Sequence, residues 1–550
     1  MGWRFFAVVL GLVAVVVFGT AWASGVGVFD AGESEIRFEN ESVSAGFDYS
    51  HTLQSQSHGN GRQGVYANDF DNDGWTDLLV IGGNEGDRSP VMFRNVDGEF
   101  ERADVLPDGA TPLRATFKSA HFIDYNQDGW VDLFLLPKQG KGVMLKNAGG
   151  EFEVREVGVE EYFELPLGAT TLDYNKDGCP DLFVIQSGNW RDKFPEGYQA
   201  DNRSISNDNG EPNVLFEGDC SGFEEVEGTG ISGDHWSLAT TAADFNRDGY
   251  PDIHVANDFY NDVVYINQQD GTFERRTLSR ETDRNGMSSE LADVDGDGRP
   301  DLFVTNIHLS PEEAETDAFR RYIEYSLGKR GEGNTLLMNT GNGTFTDRGT
   351  AYGVEEGGWG WAAVIADFDN DGTEDVFHAT AELTGVKQSM YVNYSSPMVW
   401  ESRSDGFEQL DATDVGFEPM DGRGVAALDY DRDGDLDLAV SNRNGRFKLY
   451  ENVGASANWL QLRVEGDNGE TAIGARVTIT VDDTTHNRWV NARSDFLSQD
   501  TRVVHVGLGE HRTVDEITIT WPDGTTKTVT DVQANQRIVI SKDVVSDASR

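Results

Sequence analysis

A chain of 550 residues is too long for one hydrophobic core and requires a large domain plus a smaller one. Its 96 acidic residues against 44 basic ones give a formal charge of −52, and only 11 of the basic residues are Lys, which excludes the basic patches that nucleic-acid binding requires. Hydrophobic residues make up 38%, in runs interleaved among 62 glycines, so the chain has the material for packed strands joined by tight turns.

The N-terminus reads Met1-Gly2-Trp3-Arg4, then an apolar run from Phe5 to Phe18, then Ala21-Trp22-Ala23. A basic start, an apolar stretch and an Ala-x-Ala site predict a signal peptide over residues 1–23. An uncleaved anchor is the alternative, since the run is near the lower limit for a membrane span. Both place the chain outside the cytoplasm, secreted or at the cell surface. There calcium is abundant enough to fill sites as weak as roughly 10⁻⁴–10⁻³ M.

Next comes a strand-like segment, Ile36 to Glu41, and then the dominant feature of the chain. A nine-residue loop, Asp-x-(Asp/Asn)-x-Asp-Gly-x-x-Asp, occurs seven times, starting at Asp69, Asp124, Asp173, Asp244, Asp293, Asp367 and Asp429. Chance would supply on the order of a thousandth of one such match in a chain this long. Calcium takes six to eight oxygens at about 2.3–2.6 Å. Carboxylates at positions 1, 3 and 5 converge on one point only if the chain curls, and the Gly at position 6 permits the curl. Position 7 would then offer its carbonyl and position 9 a further carboxylate. The predicted donors of loop 1 are Asp69, Asp71, Asp73, Trp75 and Asp77; those of loop 2 are Asp124, Asn126, Asp128, Trp130 and Asp132. Loop 3 offers Asp173, Asn175, Asp177, Cys179 and Asp181, and loop 4 offers Asp244, Asn246, Asp248, Tyr250 and Asp252. Loop 5 offers Asp293, Asp295, Asp297, Arg299 and Asp301; loop 6 offers Asp367, Asp369, Asp371, Thr373 and Asp375; loop 7 offers Asp429, Asp431, Asp433, Asp435 and Asp437. The side chain at position 7 varies freely, as a backbone ligand allows. The pattern is not an EF-hand, whose last acid stands at position 12 between helices. Up to seven Ca²⁺ are predicted. They would lower the net charge only to about −38. The remaining acidity resembles that of halophilic secreted proteins, in which salt screens self-repulsion; an acidic protein that binds cations or basic partners at low salt is the alternative.

Each loop joins the first and second strands of a four-stranded repeat. The third strand ends near Asn, as at Asn95, Asn147 and Asn339, and the fourth begins with Phe at positions 100, 152, 223, 273, 345 and 407. The seventh repeat lacks a following fourth strand, and Ile36 to Glu41 has its pattern. The N-terminal strand is therefore predicted to close the last blade of a seven-bladed β-propeller over residues 34–453. Loop spacings of 49 to 74 residues fit one four-stranded blade each. Two insertions, Ser187 to Pro212 and Ser310 to Arg330, the second with a helical pattern, fall between second and third strands and would share one face, as a ligand surface or as packing decoration. Cys179 and Cys220 lie in the third repeat; an extracellular location allows a disulfide, and two buried thiols are the alternative. From 456 to 543 the alternation of Leu460-Gln461-Leu462-Arg463-Val464, Val477 to Val481 and Ile517 to Trp521 predicts a small antiparallel β-sandwich, making the whole chain all-β.

The loops with their apolar followers resemble FG-GAP/VCBS repeats, the calcium-binding blades of integrin α-type propellers. Asn458-Trp459-Leu460, Gly474-Ala475-Arg476-Val477, Ser498-Gln499, His505-Val506-Gly507-Leu508-Gly509 and Trp521-Pro522-Asp523-Gly524 resemble the ASPIC/UnbV domain. Together they are similar to the cartilage acidic protein-like family. The resemblance implies a secreted, calcium-binding protein of adhesion or matrix contact and carries over no catalytic residue.

The predicted function is a non-catalytic scaffold, secreted or on the cell surface, that binds an extracellular protein or glycan, with contact to a membrane only through a retained N-terminal segment. Four glycosylation triplets, at Asn40, Asn202, Asn342 and Asn393, are compatible with it. The alternative is a secreted propeller enzyme with an axial active site built from histidines such as His235, His254, His308 and His378. Three of these converging on the axis would support it. A third possibility is that the C-terminal domain covers one face of the ring, with His505 and Trp521 as interface or core residues, core being favoured for both.

Overall fold

In the computed structural model the described residues are 34–547, except 52–62, 83–89, 108–116, 189–209, 232, 234, 279–284, 309–332, 385–390, 394 and 444. The predicted signal peptide and most of both insertions, including the helical pattern, lie outside them. Among the described residues no helix is long and apolar enough to cross a membrane.

Seven sheets follow one another, each of four antiparallel strands with the first innermost, and in the first sheet Ser498–Gln499 adds a fifth strand parallel to the inner one. The innermost strands are Gly64–Asn68, Phe117–Ile123, Pro166–Leu172, Trp236–Ala243, Glu290–Ala292, Gly360–Ala366 and Gly422–Leu428. Each inner strand neighbours the next, and the last neighbours the first, so the sheets close as a seven-bladed propeller. The first two strands of a blade are buried along their length, as in Asp132–Pro137, because blades pack on both of their faces. In outer strands such as Phe223–Glu225 only the Phe is buried.

The recurrent Phe of the fourth strand has a mechanical use. Phe152 packs on Phe70 with ring centroids 6.0 Å apart, Phe223 on Tyr125 at 6.1 Å, Phe273 on Tyr174 at 6.0 Å, Phe345 on Phe245 at 5.4 Å and Phe100 on Tyr430 at 6.0 Å. In each pair the second ring is position 2 of the preceding blade's loop. Val294 replaces the aromatic in loop 5 and shares a core cluster with Phe407. Phe38, on the strand Phe38–Asn40, completes the set. That strand pairs antiparallel with Lys448–Asn452, placing Phe38 opposite Asn452, and its ring lies 5.6 Å from Phe368 of loop 6. The rim of blade 7 is thus supplied by the beginning of the chain.

The C-terminal domain packs two four-stranded sheets around Leu460, Val477, Ile517, Trp521 and Ile540. It is not wholly antiparallel, because Asn458–Val464 runs parallel to Gln536–Ile540. Between Thr484–Trp489 and Val504–Gly509 a segment leaves this sandwich and runs into the axis of the ring. It touches the inner strand or strand entry of every blade. Val65 N donates to Leu497 O (3.1 Å), Phe122 N to Gln499 Oε1 (2.9 Å), Thr170 Oγ1 to Ala492 O (3.1 Å) and Thr240 N to Ser494 O (2.9 Å). Ser289 N and Ala363 N donate to the two oxygens of Asp495 (3.1 and 2.7 Å), and Ala427 N donates to Asp500 Oδ1 (2.8 Å). Inner-strand glycines make the room: a Cβ at Gly168 would stand 2.2 Å from Ser494 Oγ, and one at Gly424 2.5 Å from Leu497 O.

Phe38 is 2% exposed, so Phe38→Ala should cost about 3–5 kcal/mol of stability in denaturant unfolding, the usual loss for a buried Phe. A chain lacking residues 34–45 should melt well below the intact one; an unchanged melting temperature would refute closure by the N-terminal strand.

Candidate metal centres

All seven loops share one backbone conformation, and the position-6 glycines have φ between 76° and 100°. A second left-handed residue stands at position 4, with φ from 52° at Gln127 to 71° at Gly296; only loop 5 uses glycine there. This requirement was not visible in the sequence, because Asn72, Gln127, Lys176, Arg247, Asn370 and Arg432 share no side-chain property. The position-5 carboxylate accepts from the position-7 N–H in every loop, for example Trp75 N to Asp73 Oδ1 at 2.8 Å and Arg299 N to Asp297 Oδ1 at 2.9 Å. That bond is an Asx-type turn, which turns the position-5 side chain back over its own loop.

Position 9 is a structural clamp whatever else it does. In every blade one oxygen accepts from the position-2 N–H and the other from an N–H at the end of the third strand. Asp77 takes Phe70 N (3.0 Å) and Asn95 N (2.8 Å); Asp437 takes Tyr430 N (3.0 Å) and Asn452 N (2.9 Å). Third-strand asparagines then reach across to the preceding blade. Asn147 Nδ2 donates to Phe70 O (2.7 Å), Asn267 to Tyr174 O (2.9 Å), Asn339 to Phe245 O (3.0 Å), Asn452 to Phe368 O (2.7 Å) and Asn95 to Tyr430 O (2.7 Å). These rivets explain the Asn at the strand end. Blades 3 and 6 have Gly218 and Ser402 at that place and take only the clamp bond.

The loops divide into two classes at position 3. Loops 2, 3 and 4 carry Asn, whose Nδ2 donates to the position-5 carboxylate: Asn126 to Asp128, Asn175 to Asp177 and Asn246 to Asp248, at 2.9 to 3.1 Å. Both oxygens of position 1 are also engaged inside these loops. Asp124 Oδ1 accepts from Asp128 N (3.1 Å) and Oδ2 from Gly129 N (2.9 Å), and Asp173 and Asp244 do the same.

Loops 1, 5, 6 and 7 carry Asp at position 3. Their carboxylate oxygens converge within 4.8 Å in the groups Asp69/Asp71/Asp77, Asp293/Asp295/Asp297, Asp367/Asp369/Asp371 and Asp429/Asp431/Asp437. In three of the four, one position-1 oxygen (Asp69 Oδ1, Asp367 Oδ1 or Asp429 Oδ1) is buried, and none of the described residues donates to it. Asp367 is 1% and Asp429 3% exposed. A buried carboxylate oxygen without a donor is costly. Two or three such groups gathered together fit a hard cation with oxygen ligands, so the residues present suit Ca²⁺.

Charge follows the geometry. Burial, with neighbouring loop carboxylates adding to it, pushes Asp69 up to about 6, Asp301 and Asp369 to about 7, Asp132, Asp181, Asp252 and Asp435 to about 8, and Asp77 to about 9. Asp367, Asp375 and Asp437, fully buried, are pushed well above the usual carboxylate range by the same causes.

The C-terminal domain sits on this loop-bearing face. Asp69 faces Arg463 (3.4 Å) and Asp293 accepts from Asn487 Nδ2 (3.0 Å). Asp367 Oδ2 accepts from Gly507 N (2.8 Å), and Asp429 Oδ2 from Gln461 Nε2 (2.8 Å) and Arg537 (3.5 Å). His505 is buried at this interface, not in the sandwich core, with Nε2 2.7 Å from Asn370 Oδ1; Trp521 lies in the core and donates to Glu465 O (3.0 Å). Cys179 and Cys220 are disulfide-bonded, tying loop 3 to the turn between the outer strands of its blade.

The histidines of the enzymatic alternative are not gathered. His254 Nδ1 lies 2.7 Å from Ser289 Oγ, His378 Nε2 3.2 Å from Asn334, and His235 stacks on Tyr260 at 4.6 Å. Among the described residues the metal-competent side-chain groups are the four loop clusters.

A closed ring of blades, each opened by an acidic turn and capped by a small sandwich, defines the class. Residues 69–135, 124–184, 244–304 and 324–378 match the family described as FG-GAP-like repeat, and residues 465–547 match ASPIC and UnbV. The chain belongs to the FG-GAP-repeat proteins with a C-terminal ASPIC and UnbV domain. It is 26% identical to cartilage acidic protein 1 of Mus musculus over 288 residues, covering 50% of this chain and 40% of that protein, and 25% identical to the Homo sapiens protein over 288 residues, covering 50% and 39%. The match thus spans about two fifths of the length of these curated relatives. Similar solved structures include BBS1N in complex with ARL6DN (TM-score 0.38, 9% identity, 73% of this chain and 96% of that one) and YCF48 bound to D1 peptide (TM-score 0.39, 9% identity, 77% and 99%).

The raised carboxylates give a pH prediction with a definite sign. Their folded-state values lie above the ordinary value of 3.8, so the metal-free protein takes up protons on folding. Its stability is fullest below about 4 and is lost as pH rises through about 6 to about 9. Relief of general self-repulsion acts in the same direction. Saturating Ca²⁺ should flatten the dependence. Melting temperatures of metal-free and calcium-loaded protein between pH 5 and 9 measure it, and parallel curves would show that the loops do not bind the ion.

Proposed function

We propose that the chain is a secreted or cell-surface, calcium-binding, non-catalytic scaffold that presents a rigid propeller face to an extracellular protein or glycan. The observation that carries the reading is the set of donorless buried oxygens of Asp69, Asp367 and Asp429 inside convergent carboxylate groups. A divalent cation there would offset the mutual repulsion of the loop and stiffen the turn at the start of each blade's second strand. Loops 5, 6, 7 and 1, which gather these groups, follow one another around the ring, so ions there would form an arc on one face.

The similarity to cartilage acidic protein 1 supports an extracellular setting, as do the disulfide and the signal-like N-terminus. The surface that would meet a ligand is the face opposite the C-terminal domain. The second strands end and the third strands begin on that side, as at Gln186 and Val214. The axial-enzyme reading is disfavoured because the axis is filled by the chain itself, with the side chains of Asp495, Phe496 and Gln499 buried in it.

Calcium titrated into the metal-free full chain should release heat at several sites and raise the melting temperature. Each site occupied at 100 times its dissociation constant adds about 2.7 kcal/mol. The rise should persist at high salt, because it comes from ligation and not from screening. A melting temperature indifferent to calcium and to chelation would overturn the reading. The partner is tested by capture from native extracellular material with and without chelator, and a single glycoprotein or glycan held only with calcium is the expected result.

A further inference from the structure

We propose that the C-terminal domain is the outer shell of four of the seven cation sites. Ion binding at loops 1, 5, 6 and 7 and seating of the axial segment would then be one coupled equilibrium, while loops 2, 3 and 4 bind independently. The proposal rests on the calcium reading above and adds to it a division of labour between sites and a means of regulation.

The division is visible in who donates to the position-1 carboxylate. In loops 2, 3 and 4 both of its oxygens accept from N–H groups of the loop itself. In the other four a donor comes from residues 461–537, between 32 and 394 positions away, and in loops 1, 5 and 6 it adds to the loop's own position-6 amide. Arg463 serves Asp69, Asn487 serves Asp293, the Gly507 amide serves Asp367, and Gln461 with Arg537 serves Asp429. In loops 1, 6 and 7 the donor takes Oδ2 and leaves Oδ1 buried and free toward the cluster. One oxygen anchored from outside and the other pointing inward is the arrangement by which an outer-shell group orients a metal-ligating carboxylate. The same four loops carry Asp at position 3, so the loops with the most charge are those to whose position-1 carboxylate the second domain donates.

The docking surface is fitted to this face. A Cβ on Gly507 would stand 2.2 Å from the Asn370 backbone, so only glycine lets the strand Val504–Gly509 lie against loop 6. Gly509 N donates to Asn370 O (2.8 Å), and Asn370 Nδ2 passes the contact on to Asp435 of loop 7 (2.7 Å). Without cations, the covered face would bring the domain onto four clusters of repelling carboxylates. With them, each site gains a preorganised carboxylate and the domain gains a neutralised surface. Linkage makes the effect reciprocal: what calcium does for docking, docking does for calcium affinity.

Two measurements on the full chain test this. The first is hydrogen exchange at the amides of Val65, Phe122, Ala363 and Ala427, which all donate to the axial segment. Their protection should fall on removal of calcium and return when it is restored, and this needs no substitution. The second is calcium calorimetry on Asn487→Leu, Gln461→Leu and Arg463→Met. Each should weaken one site about 10–100-fold, the usual effect of an outer-shell change, and leave the others at wild-type affinity. If calcium binds but axial protection is the same with and without it, and the variants bind as the wild type does, the coupling is wrong and the calcium reading stands. If calcium neither binds nor alters exchange, both fall.

Discussion

The structure depends on one buried aspartate repeated around a ring. At position 9 of each loop a carboxylate out of water holds two backbone N–H groups, one from its own turn and one from the third strand of the same blade. A buried carboxylate with two such donors fixes the spacing of three strands at one point. Where the third-strand residue is Asn, its amide spends the remaining capacity on the carbonyl of the blade before. Aromatic position 2, whose N–H is consumed in this node and whose C=O takes the next blade's Asn where there is one, points its ring at the next blade's outer Phe. One nine-residue pattern therefore sets the turn, the register within the blade and the contact between blades.

That node concentrates negative charge where water is scarce. Positions 1, 3 and 5 surround a carboxylate already costly to ionise, so the loops are strained electrostatically unless something positive is near. The chain supplies part of it: Arg94 reaches Asp71 at 2.6 Å and Lys146 reaches Asp128 at 3.0 Å. Loops 2, 3 and 4 lower the demand by placing a neutral Asn at position 3. The Asp-type loops instead combine more acid with deeper burial, and the C-terminal domain adds donors there without filling every oxygen. Such an arrangement has a purpose if a cation completes it, and otherwise only a cost.

Much of this was legible in the sequence because the information is periodic. The repeated loop, the apolar run after it and the outer Phe each recur, and a recurring signal identifies an element even when any one copy is ambiguous. The match of the Ile36–Glu41 pattern to a fourth strand was readable for the same reason. What was not legible is what occurs once. No local pattern announces that the stretch from Val490 to Val503 leaves its sandwich to line the ring's axis, because its partners lie in seven different blades. His505 looked like a core residue; its partner Asn370 lies 135 positions away. The motif pieces of the ASPIC and UnbV resemblance, Ser498-Gln499 and His505 to Gly509, proved to be docking equipment, a role that exists only in the presence of the propeller. The left-handed position 4 was hidden for a different reason: it constrains backbone and not side chain, so unlike residues occupy it.

Two segments far apart in the chain lock the ring, one at its rim and one at its centre. The first strand closes the rim, pairing with the last blade, so the ring cannot open between blades 7 and 1 without losing an edge strand and the Phe38 contact. The axial segment closes the centre, and no single blade can swing outward without breaking a hydrogen bond or ion pair to it. Arg493 shows how tightly this is drawn: half-buried, it bonds the fully buried Glu290 of blade 5 at 2.6 Å and also pairs with Asp500 of its own segment. Breaking one partner of such a buried pair leaves an uncompensated charge, which costs far more than the pair itself contributes. A propeller is built of similar units that each contact only their neighbours, and such arrays are prone to open one unit at a time. A segment bonded to all seven blades converts neighbour contacts into a common one, so the blades and the C-terminal domain should unfold as one unit and not in sequence.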